Sequence, residues 1–361
     1  MLDAMLLLLS ATVSQSASRL DAIKAAVEPI LVEQAVRFNS SISFGFHDES
    51  GNVHLTHGMN DALAGTPVNA RTLIPSGSAT KTWTAVAIMQ AVEAGLMSLD
   101  DLATKWVDPV LQRVNGTTLS TLWHQEGEGE FSIRDVTIRA LLQHTSGIME
   151  YDDFLGWMYE HPGEDLSPLD LLHLVPKHLV CDSTNCTCAH LDALPFVYFD
   201  SEAYGCAAEE GGPNVGFYTS IGYNILGLAL VGVHALGDWR DLDQKGVIPP
   251  ALAAGYVDIE FVNGACDTLA SVAHQYYSTP ASYGDANWPV QEIVDIRRYS
   301  CLNGWTGGNL AASAGDLSRF FYELFTEVGV RFVFLLYRMT EYFTNLILYV
   351  ILFTEVEPPP S

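Results

Sequence analysis

Apolar positions along the chain recur in two rhythms, and the switches between them predict the elements. Residues 19–38, RLDAIKAAVEPILVEQAVRF, carry Leu20, Ile23, Val27, Leu31 and Val36 at near-helical spacing, which predicts an amphipathic helix. Two alternating runs follow, SISFGFHD and NVHLTHG, separated by Glu49-Ser50-Gly51-Asn52, and predict a β-hairpin. TKTWTAVAIMQAVEAGLMSLDD predicts a helix whose Val86, Ile88, Met89 and Val92 form a broad apolar surface, capped by Gly95 and followed by an Asp100-Asp101 turn. In SIRDVTIRALLQHTSGI the helical rhythm buries Val136, Ile138, Leu141 and Leu142 and ends at Gly147. Residues 149–216 lose periodicity and mix Asp, Pro, Gly, His and Cys, as a loop-rich insertion does. Order returns in GFYTSIGYNILGLALVGVHALG, a turn feeding an apolar helix. TGGNLAASAGDLSRFFYELF then reads as a glycine pair, a small-residue strand or turn, and a helix opened by Asp316 with Leu317, Phe320, Phe321 and Leu324 inside.

The two ends break the pattern. Residues 1–18, MLDAMLLLLSATVSQSAS, pair an apolar run with small residues at a cleavage position and read as a secretion signal, with a buried helix as the alternative because Asp3 stands where Lys or Arg is usual. At the other end, residues 331–361 are strongly apolar yet interrupted by Arg338 and Glu341, leaving Tyr342 to Phe353 too short to span a bilayer alone. Leu324-Phe325-Thr326-Glu327-Val328 also recurs at 352–356, which no helix requires. The expected organisation is therefore a signal at 1–18, a domain at 19–330 that is incomplete at its C-terminus, and an atypical tail. A C-terminal anchor or amphipathic helix is the alternative for that tail.

Composition narrows the function classes. With 43 acidic against 17 basic residues, the chain carries a formal charge of -26, which repels nucleic acid and anionic lipid. Asn-x-Ser/Thr patterns at Asn39, Asn115 and Asn185, with six cysteines of which four crowd between Cys181 and Cys206, suit a secreted or secretory-lumen protein. His173, His178, Cys181, Cys186, Cys188 and His190 could together supply zinc ligands, but their spacing matches no standard knuckle pair. Disulfides within the insertion, with Cys206 as a further partner, are the expected use, and no metal is assigned.

Candidate chemistry centres on Ser76 to Thr82, SGSATKT. A phosphate loop would need glycine at Thr80 and another five residues earlier, so that reading fails. Ser78 and Lys81, spaced i and i+3, would share one helix face, and the helix N-terminus favours a developing oxyanion. A serine cap with a solvated lysine one turn later is the plainer alternative.

Four ordered blocks lift the nucleophile reading above that alternative: TLIPSGSATKTWTAVAIMQAVEAGLMSLDD, VTIRALLQHTSGI, FYTSIGYNILGLAL and GGNLAASAGDLSRFF. In order they resemble the serine β-lactamase and penicillin-binding protein superfamily, specifically its class C-like branch of β-lactamase-related serine hydrolases, over most of residues 40–325. The resemblance implies an α+β fold, an antiparallel sheet flanked by helices beside a helical region. It implies Ser78 as acylated nucleophile, Lys81 as its proton partner and Tyr218 as general base, the last needing the positive field of Lys81 because an ordinary phenol titrates near pKa ~10. Ser220 stands where the family has asparagine, and its hydroxyl could still bond Lys81. His144 and Gly147 would be structural, and Asp316 a helix cap. The family's third motif, Lys-Thr-Gly or His-x-Gly, does not follow residue 325. Trp305-Thr306-Gly307 lacks its cation, and loss of the oxyanion donor on that strand would cost about a hundredfold or more in rate. The expected function is hydrolysis of a small ester or amide without a cofactor. The alternative is a catalytically inactive secreted scaffold or binding protein.

Overall fold

A computed structural model describes residues 2–61, 64–123, 133–146, 148, 163–173, 180–181, 188–189, 218–269, 271–278, 293–295, 297 and 300–326. Gly147, the tail at 331–361, and most of the 149–216 insertion, including His178, Cys186, His190 and Cys206, lie outside those residues.

Helix α1 (Leu2–Arg37) leads into the predicted hairpin, β1 (Ile42–Asp48) and β2 (Gly51–His57). The Asp48 carboxylate accepts the Ser50 N–H at 2.7 Å across a turn of only Glu49 and Ser50. Pairing of Phe44 with Leu55 and of Phe46 with Val53 puts five apolar side chains on one face, against Leu20, Ile23, Val27 and Leu31 of α1. Val36 does not join them. It is 70% exposed, because the four-residue step from Leu31 lands on Ala35, which is buried instead. The opposite face of the hairpin carries Gly45, where a Cβ would overlap the Ala314 carbonyl and push the last helix away.

Short strands β3 (Met59–Asp61) and β4 (Thr66–Pro67) precede β5 (Ile74–Gly77), which turns directly into α2 (Thr80–Glu93). Gly95 closes α2 in the left-handed region (φ 70), and Leu96 N–H reaches back to the Ala91 carbonyl at 3.0 Å. After it come α3 (Ala103–Asn115), α4 (Leu119–Leu122), α5 (Ile138–Leu142), α6 (Pro168–His173), β6 (Val180–Cys181), β7 (Cys188–Ala189) and α7 (Ser220–Val233). The chain continues through α8 (Pro250–Ala253), β8 (Ile259–Phe261), β9 (Tyr276–Ser278), β10 (Ile293–Asp295), α9 (Trp305–Gly308), β11 (Leu310–Ala312) and α10 (Ala314–Phe325). Strand β11 is central to an antiparallel sheet, with β5 on one side and β8 on the other. Among the described residues no helix is long and apolar enough to cross a membrane.

The helix expected across residues 132–148 is broken. Thr137 is extended and caps a fresh start, its side chain accepting the Ala140 N–H. The amides of Ile138 and Arg139 donate to the Asp101 and Leu99 carbonyls, so they are taken up by the chain before α3 rather than by a preceding helical turn. Asp316 is likewise not the cap of its helix. Ser313 is, accepting the Asp316 N–H at 3.1 Å, while the Asp316 carboxylate accepts the Asp258 N–H at 2.7 Å.

Two cores meet on α2. Ala85, Ile88 and Ala91 face a helical core with Leu111, Ile138, Leu171 and most of α7, and Trp83, Val86 and Met89 face a second core with Ile259, Leu310, Phe320 and Leu324. The N-terminus of α2 therefore opens at the seam between helices and sheet. A disulfide joins Cys266 to Cys301, with Cα atoms 5.1 Å apart, and ties the chain after β8 to the chain before α9.

Candidate active site

Ser78 sits on the turn between β5 and α2. Gly77 adopts φ 47, a left-handed conformation that an L side chain seldom takes, and this swings Ser78 out of the strand into solvent. Ser78 makes no helix cap: the residue at the cap is Ala79, with no side-chain bond. Its Oγ instead lies 2.5 Å from Tyr218 Oη and accepts from Lys81 Nζ at 3.2 Å.

Lys81 is buried in the first turn of α2, at 4% exposure. An ammonium there is costly unless its donors are matched. Besides Ser78, Nζ donates to Ser220 Oγ at 3.1 Å and to the Gly307 carbonyl at 2.8 Å, so three acceptors meet three N–H donors. The amine also lies 4.8 Å from the ring centroid of Tyr218 and 5.7 Å from that of Tyr223, over the negative faces of both.

The Gly307 carbonyl is available because α9 is a single turn, whose last carbonyls find no partner within it. Thr84 Oγ1 of α2 donates to the neighbouring Thr306 carbonyl at 2.6 Å, so successive turns of α2 satisfy the end of α9. Ser220 is the first residue of α7, capped by Thr219, whose side chain accepts the Gly222 N–H. Tyr218 precedes that cap and is 45% exposed, so the phenol stands at the mouth of the site.

His144 forms the back wall. Its ring stacks on Tyr218 with centroids 4.7 Å apart, and its Nδ1 accepts the Thr219 N–H at 3.2 Å. Burial, and secondarily the Lys81 charge, push its pKa down to about 4, so it is neutral with its proton on Nε2. Tyr223 Oη donates to the Leu142 carbonyl at 3.1 Å, and burial drives its pKa up.

The structure thus brings Ser78, Lys81, Tyr218 and Ser220 together from residues 142 positions apart at the extremes. Sequence reasoning missed the Gly307 carbonyl and the ring contacts of His144 and Tyr223. A backbone acceptor carries no side-chain signal; for Gly307 the glycine pair was the only hint. Among the described residues no group of three or more His, Cys, Asp or Glu could hold a metal ion.

The family model described as Beta-lactamase matches residues 45–332. Comparison with curated proteins returns no match. Among solved structures, an octameric penicillin-binding protein homologue from Pyrococcus abyssi is similar at 21% identity and TM-score 0.51, covering 85% of this chain and 55% of that one. A D-amino acid amidase from Ochrobactrum anthropi SV3 is similar at 15% identity and TM-score 0.52, over 81% of this chain and 68% of that one. A D-stereospecific amidohydrolase from Streptomyces is similar at 17% identity and TM-score 0.51, over 81% and 70%. The chain thus spans little more than half of the first of these and about two thirds of the others.

Proposed function

The chain belongs to the β-lactamase family, and on that premise we propose that it is a serine hydrolase that cleaves small esters or amides through an acyl-enzyme on Ser78. The observation that carries this reading is the convergence of Tyr218 Oη, Ser78 Oγ and Lys81 Nζ within 3.2 Å of one another along the chain of contacts. Tyr218, as phenolate beside the Lys81 ammonium, takes the Ser78 proton as Oγ bonds to the substrate carbonyl carbon. It then gives that proton to the departing alcohol or amine, and water reverses the sequence to free the acid. The start of α2 favours the anion that develops on the carbonyl oxygen. Ser220 holds Lys81 by a hydroxyl and leaves no side-chain amide there to grip a substrate. D-Amino acid amides and simple esters are therefore the first substrates to try, following the structural relatives. The Cys266–Cys301 disulfide supports a secreted or secretory-lumen location.

A scaffold without turnover is the second reading, favoured by Ser220 in the position where the resemblance puts asparagine. Rapid-mixing kinetics with p-nitrophenyl acetate separate the two. The hydrolase reading expects a burst of nitrophenol stoichiometric with protein, and in Tyr218→Phe an acylation rate lower by about a thousandfold. Absence of a burst in the wild type would leave the scaffold reading standing.

A further inference from the structure

His144 lies outside the proton path, yet it touches the path at two points. Its backbone has φ 57, in the left-handed region that residues other than glycine adopt uncommonly, just past the end of the five-residue helix α5. That turn aims the ring across the start of α7, where it stacks on Tyr218 at 4.7 Å and lies 5.1 Å from Tyr223. Nδ1 accepts the N–H of Thr219, the residue joining Tyr218 to the cap of α7.

We propose that His144 is a positioning residue for Tyr218, fixing the backbone behind the phenol through Nδ1 and backing the phenol ring with its own, so that Oη points at Ser78. This rests on the hydrolase reading above. Tyr218 is exposed, and it precedes its helix rather than belonging to it. Held from one side only, its phenol could swing away from Oγ; the imidazole supplies the second side. The titratable groups facing His144 are Lys81 from α2, and Tyr218 and Tyr223 from the start of α7. A histidine charged beside Lys81 would lose its acceptor nitrogen and add a second cation. The low titration of His144 keeps the acceptor available at neutral pH.

Two variants isolate the acceptor while sparing the backbone. Glycine and asparagine both tolerate φ 57, but only asparagine offers an oxygen near the place of Nδ1. With p-nitrophenyl acetate, His144→Gly is expected to lower kcat about tenfold with KM changed by less than about twofold, and His144→Asn to recover to within about threefold of the wild type. Amide exchange, read in a Ser78→Ala background, is expected to show Thr219 deprotected in His144→Gly and protected in His144→Asn. An unchanged kcat in His144→Gly, equal losses in both variants, or Thr219 exchange indifferent to the substitution would overturn the proposal. A wild type that never acylates would instead strike the hydrolase reading, and the exchange measurement would still report whether His144 holds Thr219.

Discussion

The helical side of the site and the N-terminal hairpin layer are built to different standards. In α7 every side chain from Ile221 to Val231 is buried, Gly222 and Gly227 aside for want of one, and the helix packs into a core with Leu111, Ile138, Leu141 and Leu171 at zero exposure. In the hairpin layer only Leu31, Ala35, Val53 and Leu55 are buried apolar side chains among the described residues, and most of β1 is half-buried. Ser220, Tyr218 and His144 all hang on or against the dense side. The difference teaches where rigidity is placed: the side chains that converge on Ser78 are anchored on or beside interlocked helices, while the hairpin closes the fold at a distance.

Truncation on each side is the strongest way to break that contrast. Ile225→Ala should cost about 4 kcal/mol, because a fully buried side chain leaves a cavity that α7 cannot collapse around. Leu55→Ala should cost about 2 kcal/mol, since its neighbours on α1 can settle inward. Chemical denaturation of both variants checks this; equal costs would dissolve the distinction.

Much of this architecture was legible in the sequence. Strict alternation set the hairpin register, because a slip by one residue would turn Phe44, Phe46, Val53 and Leu55 to the wrong face. The apolar run of α7 announced burial, and the Ser78–Lys81 spacing announced their contact, although Ser78 lies on the turn before α2 rather than on a helix face. What stayed hidden depended on contacts remote in sequence. Thr137 breaks its helix only because Leu99 and Asp101 offer carbonyls to its followers, and Ser313 outranks Asp316 as cap because Asp258 claims the carboxylate. Cys266 and Cys301 drew no attention beside the crowded cysteines of the insertion, since pairing cannot be read from spacing alone. The Gly307 carbonyl carries no side chain to betray it.

A gentler probe of the dense side is pH. Folded His144 titrates near 4 against 6.5 for an ordinary histidine, so between those values the unfolded chain binds the extra proton. Stability is therefore full above about pH 6.5 and falls as pH drops toward 4, by at most about 1.4 kcal/mol per pH unit from this group. Burial lowers His47 and His54 in the hairpin layer as well, so the comparison is wild type against His144→Asn. Denaturation midpoints across this range should fall less steeply in the variant. Identical slopes would show that His144 is not kept neutral by its surroundings.

The central claim is that Ser78 becomes acylated, and intact-mass spectrometry after incubation with a fluorophosphonate tests it most directly. The expected result is one adduct per chain, mapped by peptide digestion to Ser78 and lost in Ser78→Ala. Equal labelling of the wild type and Ser78→Ala, or an adduct mapped to another residue, would contradict it.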